Sequence, residues 1–165
     1  MNLQTIPNKP MSMTEVLNHV RTHLLTQNAK SSSSSSCLYR HDDLSCAVGC
    51  LIPDLNYNKE WEWTGVTDLL SDNESFAELM NQVVDLKNSN VKRLLEVLQY
   101  IHDSYDVHEW TRMLDSLNGC ETWDCDVWIG YMDAMYNHLT NEWMVTQGSN
   151  AISHAGVQSD DQEHS

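Results

Sequence analysis

Between Asn90 and Tyr105 the chain places Val91, Leu94, Leu95, Leu98, Ile101, His102 and Tyr105 at i, i+3, i+4, i+7, i+10, i+11 and i+14. That spacing gathers them on one face of an α-helix. A stripe this continuous has to be covered, so the remaining elements must pack against it. Asn90 is placed to cap the helix start.

Two further helices carry start signals. Ser12 and Glu15 form a capping box that opens a helix to about Asn28, with Val16, Leu17, Val20 and Leu24 on its apolar face. Asp106 and Glu109 form a second box, ahead of Trp110, Met113, Leu114 and Leu117, and Gly119 is placed to end that helix. One or two short helices are expected between Thr67 and Met80. A last helix is expected from Trp123 to about Val145, with Trp123, Val127, Trp128, Tyr131, Met132 and Met135 among the residues on its broad face. That face suits either a core helix or docking to a partner or second copy, so a homodimer through the Trp123–Trp143 helix is one expectation.

The remainder is not helical in pattern. Cys37 to Arg40 and Cys46 to Val48 read as short strands, joined by the turn-favouring run His41 to Ser45 into a β-hairpin. Trp61 and Trp63 are expected to anchor the following irregular segment. The six serines 31–36, with Lys30, read as a flexible linker. The expected fold class is α+β: a small antiparallel hairpin or short sheet packed against four to five helices. It forms a single domain over 12–147, with 1–11 a loose leader and 148–165 a disordered tail.

Charge narrows the function. The formal net charge is −15, and all nine Lys and Arg lie at or before Arg112. The segment after Met113 carries nine carboxylates and no Lys or Arg, with Asp124, Asp126 and Asp133 in its helical part. Such a chain repels phosphate and anionic lipid and attracts basic protein surfaces, so no direct nucleic acid and no membrane partner is expected. No apolar run approaches the roughly 20 residues that span a bilayer. No signal peptide is visible, so the five cysteines are expected as reduced thiols.

The central stretch is similar in pattern to a family of small uncharacterised proteins of tailed phages and prophages. The family's pattern is His-Leu-Leu-x-Gln, Cys-x-Tyr-Arg, Cys-Ala-Val-Gly-x-Leu-Ile-Pro-Asp, Leu-Gln-x-Ile-His-Asp, then Trp followed by Leu. These are matched here by His23 to Gln27, Cys37 to Arg40, Cys46 to Asp54, Leu98 to Asp103, and Trp110 with Leu114. The resemblance covers residues 13–117. It departs from the pattern at the six serines, at Asp42-Asp43 in place of a Gly-bearing turn, and in the acidic helix and tail after Gly119. It implies a phage origin and a fold, and gives no reaction; the expected setting is the host cytoplasm.

Several residues have the chemistry of a site. Cys37, Cys46 and Cys50, with His41 or His23, are a candidate zinc set, although the paired Cys-x2-Cys spacing is missing and buried apolar thiols are the simpler reading. Cys46 with His102 and Asp103 is a candidate thiol catalytic group. Against it, His102 lies on the buried stripe, and Asp103, as its sequence neighbour, is turned about 100° away. His19 and His23 have the i, i+4 spacing of a two-histidine half-site without an acidic third ligand nearby. Arg40 is expected to pair with Asp54 or Asp103, or to contact an anion. No cofactor is expected. The leading function is an acidic, non-enzymatic accessory protein that binds a host or phage protein with a basic surface, through Asp124, Asp126, Asp133 and Arg40. A cysteine-dependent hydrolase or transferase is one alternative, and a DNA-mimic inhibitor of a nucleic-acid-binding protein is another.

Overall fold

The computed structural model describes residues 1–34 and 36–137. The expected tail 148–165, and the end of the last helix beyond 137, lie outside the described residues. The fold is α+β, as expected: six helices and one two-stranded antiparallel sheet among the described residues. The chain divides into two compact units, Met1–Thr122 and Trp123–Ser165.

In the first unit, α1 spans Met13–Gln27 and opens on the expected capping box of Ser12 and Glu15. It closes on Asn28 in the left-handed conformation, φ 51°, which asparagine tolerates. The long stripe forms α4, Ser89–Ser104, whose residues Val91, Leu94, Leu95, Leu98, Ile101 and His102 are all buried. Its cap is Asn88 rather than Asn90, because the Asn88 side chain accepts from the Asn90 N–H. Helix α4 packs on α1, on α2 (Val66–Asp72) and on α5 (Trp110–Asp115). Asn73 separates α2 from α3, Glu74–Val83. Its extended backbone ends one helix while its side chain caps the next at the Phe76 N–H. The second capping box, Asp106 with Glu109, first forms a short 3-10 turn and then α5.

The hairpin is present but shorter and tighter than expected. Strand β1 is Arg40–His41 and β2 is Leu44–Ser45, with Arg40 opposite Ser45. Asp42 turns the chain at φ 53°, the conformation a glycine would otherwise supply. Cys46 to Val48, expected as strand, instead leads into a 3-10 turn, Gly49–Leu51.

Two segments expected to be loose are held in place. The leader is tied by its backbone: Leu3 donates to the Cys50 carbonyl and accepts from Asp54, and Met11 donates to Val83 and accepts from Asp85. The serine run is held on both sides of Ser35, which lies outside the described residues. Ser31 is fully buried, Ser32 bridges Cys37, and Leu38 donates to the Ser31 carbonyl at 2.8 Å. Backbone pairing fixes these segments where the side chains have little to bury.

In the second unit, α6 covers 125–137, with Asp124 accepting from the Val127 N–H as its cap. Trp123 lies edge-on to Trp128 at 4.9 Å and against Tyr131 at 5.1 Å.

Candidate functional site

A hairpin with two residues per strand is too short to stand alone in water. Its backbone is held instead by side chains reaching in from the helices and the 54–64 loop. Gln27 at the end of α1 accepts from the Ser45 N–H at 2.9 Å and donates to the Ser45 carbonyl at 3.0 Å. His23 Nε2 donates to the same carbonyl at 3.0 Å. Glu62 accepts from the Tyr39 N–H at 2.8 Å, the Arg40 N–H at 3.0 Å and the Tyr57 hydroxyl at 2.5 Å. Gln99 of α4 accepts from the Val48 N–H.

Arg40 is the cation of this assembly. Its guanidinium pairs with Asp54 at 2.5 Å, donates to the Ile52 and Gly49 carbonyls, and lies 5.2 Å from the centre of the Tyr57 ring. The partner is Asp54, the first of the two expected, and Arg40 holds its carboxyl below the ordinary carboxylate range. Gly49 has no substitute here: a Cβ on it would stand 1.9 Å from the Tyr39 carbonyl oxygen.

The thiols are placed for packing. Cys46 and Cys50 are fully buried; Cys46 Sγ accepts from the Gly49 N–H and the Cys50 thiol donates to the Ala47 carbonyl, each at 3.2 Å. Burial pushes the Cys50 thiol up to about 12 and the Cys46 thiol well above its usual value. A thiol held protonated and out of contact with solvent is a poor nucleophile. Among the described residues the ligand atoms of Cys37, Cys46, Cys50 and His41 do not converge. Cys46 and Cys50 point into the core, Cys37 lies against Asp103, and His41 faces Asp42 at 3.7 Å. His19, the other half of the expected histidine pair, contacts the Cys50 carbonyl, and burial lowers its imidazole.

A different cluster does form. Cys37 Sγ, a His102 ring nitrogen and an Asp103 carboxylate oxygen lie within 4.8 Å of one another. Asp103, expected to turn away from His102, curls back so that Oδ1 lies 2.7 Å from His102 Nδ1. The same oxygen accepts from Gln99 at 2.8 Å, and the Cys37 thiol hydrogen-bonds the carboxylate.

The protonation pattern of this cluster decides its chemistry. The buried Ser31 N–H donates to His102 Nε2 at 3.1 Å. Nε2 is therefore an acceptor, and the proton of the neutral ring sits on Nδ1, facing Asp103. A metal on Nδ1 would force a proton onto Nε2, against the Ser31 N–H. The ring is thus committed to the fold and fits neither a metal ligand nor a general base. Cys37 is raised to about 11 by burial and then by the Asp103 charge, the reverse of what activates a nucleophile.

Beside this cluster a cleft of about 230 Å³ opens, lined among others by Cys37, Glu62, Trp63, Gln99 and Asp103. Trp63 is 69% exposed and held at φ 69°. Trp61 and Trp63 were both expected to anchor this segment onto the core. Trp61 does pack edge-on against Phe76, but Trp63 stays outside. The roles of Gln27, Glu62 and Gln99 were also missed; the spacing of His23 and Gln27, four apart on one helix face, was the one signal that both serve a common target.

Asp124, Asp126 and Asp133 are all exposed. Asp126 and Asp133 are seven residues apart and share a face of α6, whereas Asp124 is its cap. Among the described residues no helix is long and apolar enough to cross a membrane. Comparison of the chain with protein-family models, curated proteins and solved structures finds no match.

Proposed function

We propose that this is a non-enzymatic binding protein that docks a basic surface of a host or phage protein, in the cytoplasm of an infected host. The observation that carries the reading is the charge: −15 overall, with no Lys or Arg after Arg112. Exposed Asp126 and Asp133 offer a common face to a cationic partner. The candidate catalytic pair Cys46 and His102 is engaged in holding the fold, Cys46 by the Gly49 N–H and His102 by the Ser31 N–H. The phage-type pattern of the central stretch supports the setting.

The test starts with affinity capture from infected cells and identification of the partner by mass spectrometry. Titration calorimetry of the purified pair at low and high salt follows. Charge-driven docking weakens as salt rises, because the field reaches only about 8 Å at physiological ionic strength. The variant Asp126→Lys with Asp133→Lys removes binding at low salt while circular dichroism stays native. Asp124 is changed only to Asn, which keeps the helix cap. Equal affinity of parent and variant at low salt overturns the proposal.

A further inference from the structure

We infer that the cleft beside Trp63 is a socket for one cationic side chain, an arginine or lysine on an exposed segment of the partner; the inference rests on the reading of this chain as a binder of basic proteins. Among the described residues two carboxylates line the cleft, Glu62 and Asp103, and no Lys, Arg or His does. Both have hydrogen-bond partners, but the donors are neutral. Glu62 accepts from two backbone N–H groups and the Tyr57 hydroxyl. Asp103 accepts from Gln99 and from a His102 whose Nε2 is itself an acceptor, so that ring carries no charge. Neutral donors fix the carboxylates in place, and among the described residues neither is ion-paired with a Lys or Arg. Among the described residues the Arg40 guanidinium is bridged to Asp54, and Lys30 is bonded to the Asp103 carbonyl rather than its carboxylate.

The second element is Trp63. A bulky residue at φ 69° is uncommon, and an indole left 69% exposed is out of place unless something covers it. An exposed indole lining the same cleft as anchored carboxylates suits a guanidinium or ammonium group, which both ring and carboxylates attract. The size agrees: about 230 Å³ is below the roughly 300 Å³ at which drug-sized sites begin, and suits a single side chain. An anionic or purely apolar occupant would face the two carboxylates without compensation.

The probe is the peptide acetyl-Gly-Arg-Gly-amide, compared with its citrulline counterpart, which keeps the shape and lacks the charge. Nitrogen-15 NMR of the full chain at low salt follows the Trp63 indole N–H, the Gln99 side-chain amide and the Gly65 N–H. The arginine peptide gives saturable shifts at all three, and the citrulline peptide binds roughly tenfold more weakly. Trp63→Gly, which suits the backbone angle and keeps the fold, also weakens binding roughly tenfold. Absence of saturable shifts, equal binding of the citrulline peptide, or full binding by Trp63→Gly overturns the inference. Its failure is separable from that of the docking proposal: a partner whose affinity depends on Asp126 and Asp133 but not on Trp63 defeats the socket alone. Peptide shifts at the cleft, with partner affinity indifferent to the α6 charges, uphold the socket and defeat the acidic-helix reading.

Discussion

Replacement of His102 tests whether the Cys37–His102–Asp103 cluster belongs to the fold. The ring is fully buried, accepts from the Ser31 N–H, donates to Asp103, and stacks on Trp110 at 5.4 Å with planes 28° apart. His102→Ala strands the Ser31 N–H, itself buried, at a cost of about 1–3 kcal/mol. The lost ring contacts and the void add about 1–2 kcal/mol, reduced by any collapse of the site. The expected destabilisation is about 3–4 kcal/mol, a large share of the ~5–15 kcal/mol available to a domain. His102→Gln keeps a carbonyl that can accept the Ser31 N–H and should cost no more than about half as much. Urea unfolding followed by circular dichroism, with unchanged m-value, measures both. A cost below about 1 kcal/mol for Ala, or equal costs for Ala and Gln, would refute the assignment of His102 as an acceptor for Ser31.

Three further outcomes are expected. Gly49→Ala cannot be accommodated with a Cβ 1.9 Å from the Tyr39 oxygen, so it should cost at least about 3 kcal/mol or abolish folding, read from the urea midpoint or from soluble yield. In the native protein Cys125, which is exposed, should be the one thiol that reacts rapidly with a disulfide reagent, since burial raises Cys37, Cys120, Cys50 and Cys46; rapid modification of two or more would contradict this. Burial depresses the His23 imidazole to about 4, so the unfolded chain takes up its proton near pH 6.5 while the folded chain resists. Its contribution is complete above pH 6.5 and is lost as the pH falls towards 4, by about 3 kcal/mol. His23→Gln should flatten that part of the stability curve relative to the parent.

How much of this was legible in the chain depended on whether a residue acts periodically. The stripe from Val91 to Ile101 and the first capping box fall at helical spacing, so α4 and α1 were readable within a residue or two of their bounds, whereas α5 is about three residues shorter at each end than the Asp106 box and Gly119 suggested. The hairpin was readable from its turn residues, but its strands were overestimated, because Gly49 approaches Tyr39 and the 3-10 turn begins early. The leader and the serine run were misread because backbone hydrogen bonds hold them, and those leave no trace in side-chain composition. Glu62 and Gln99 were missed for a related reason. Each satisfies a backbone N–H at least 22 residues away, a pairing that no local pattern announces.

The stretch from Cys37 to Asp54 looked chemically purposeful because it concentrates cysteine, arginine, glycine and proline. Its physical difficulty explains the concentration. A pair of two-residue strands leaves most of its peptide groups unpaired, and each buried one left so would cost roughly 1–3 kcal/mol. Arg40 therefore serves carbonyls, Glu62 serves N–H groups, Gln27 serves both, and Gly49 lets the chain fold onto Tyr39. Cys46 and Cys50 are small, fit a closed interior and have sulfurs that tolerate weak local bonds. Once those demands are met, few distinctive groups are left for function. Trp63 is exposed against its own hydrophobicity and backbone preference, and the carboxylates of Glu62 and Asp103 are held by donors that do not neutralise them. The fold uses the hydrogen-bonding capacity of Glu62 and Asp103 but not their negative charge, nor that of Asp126 and Asp133, and on that charge the proposed recognition of a cationic partner rests.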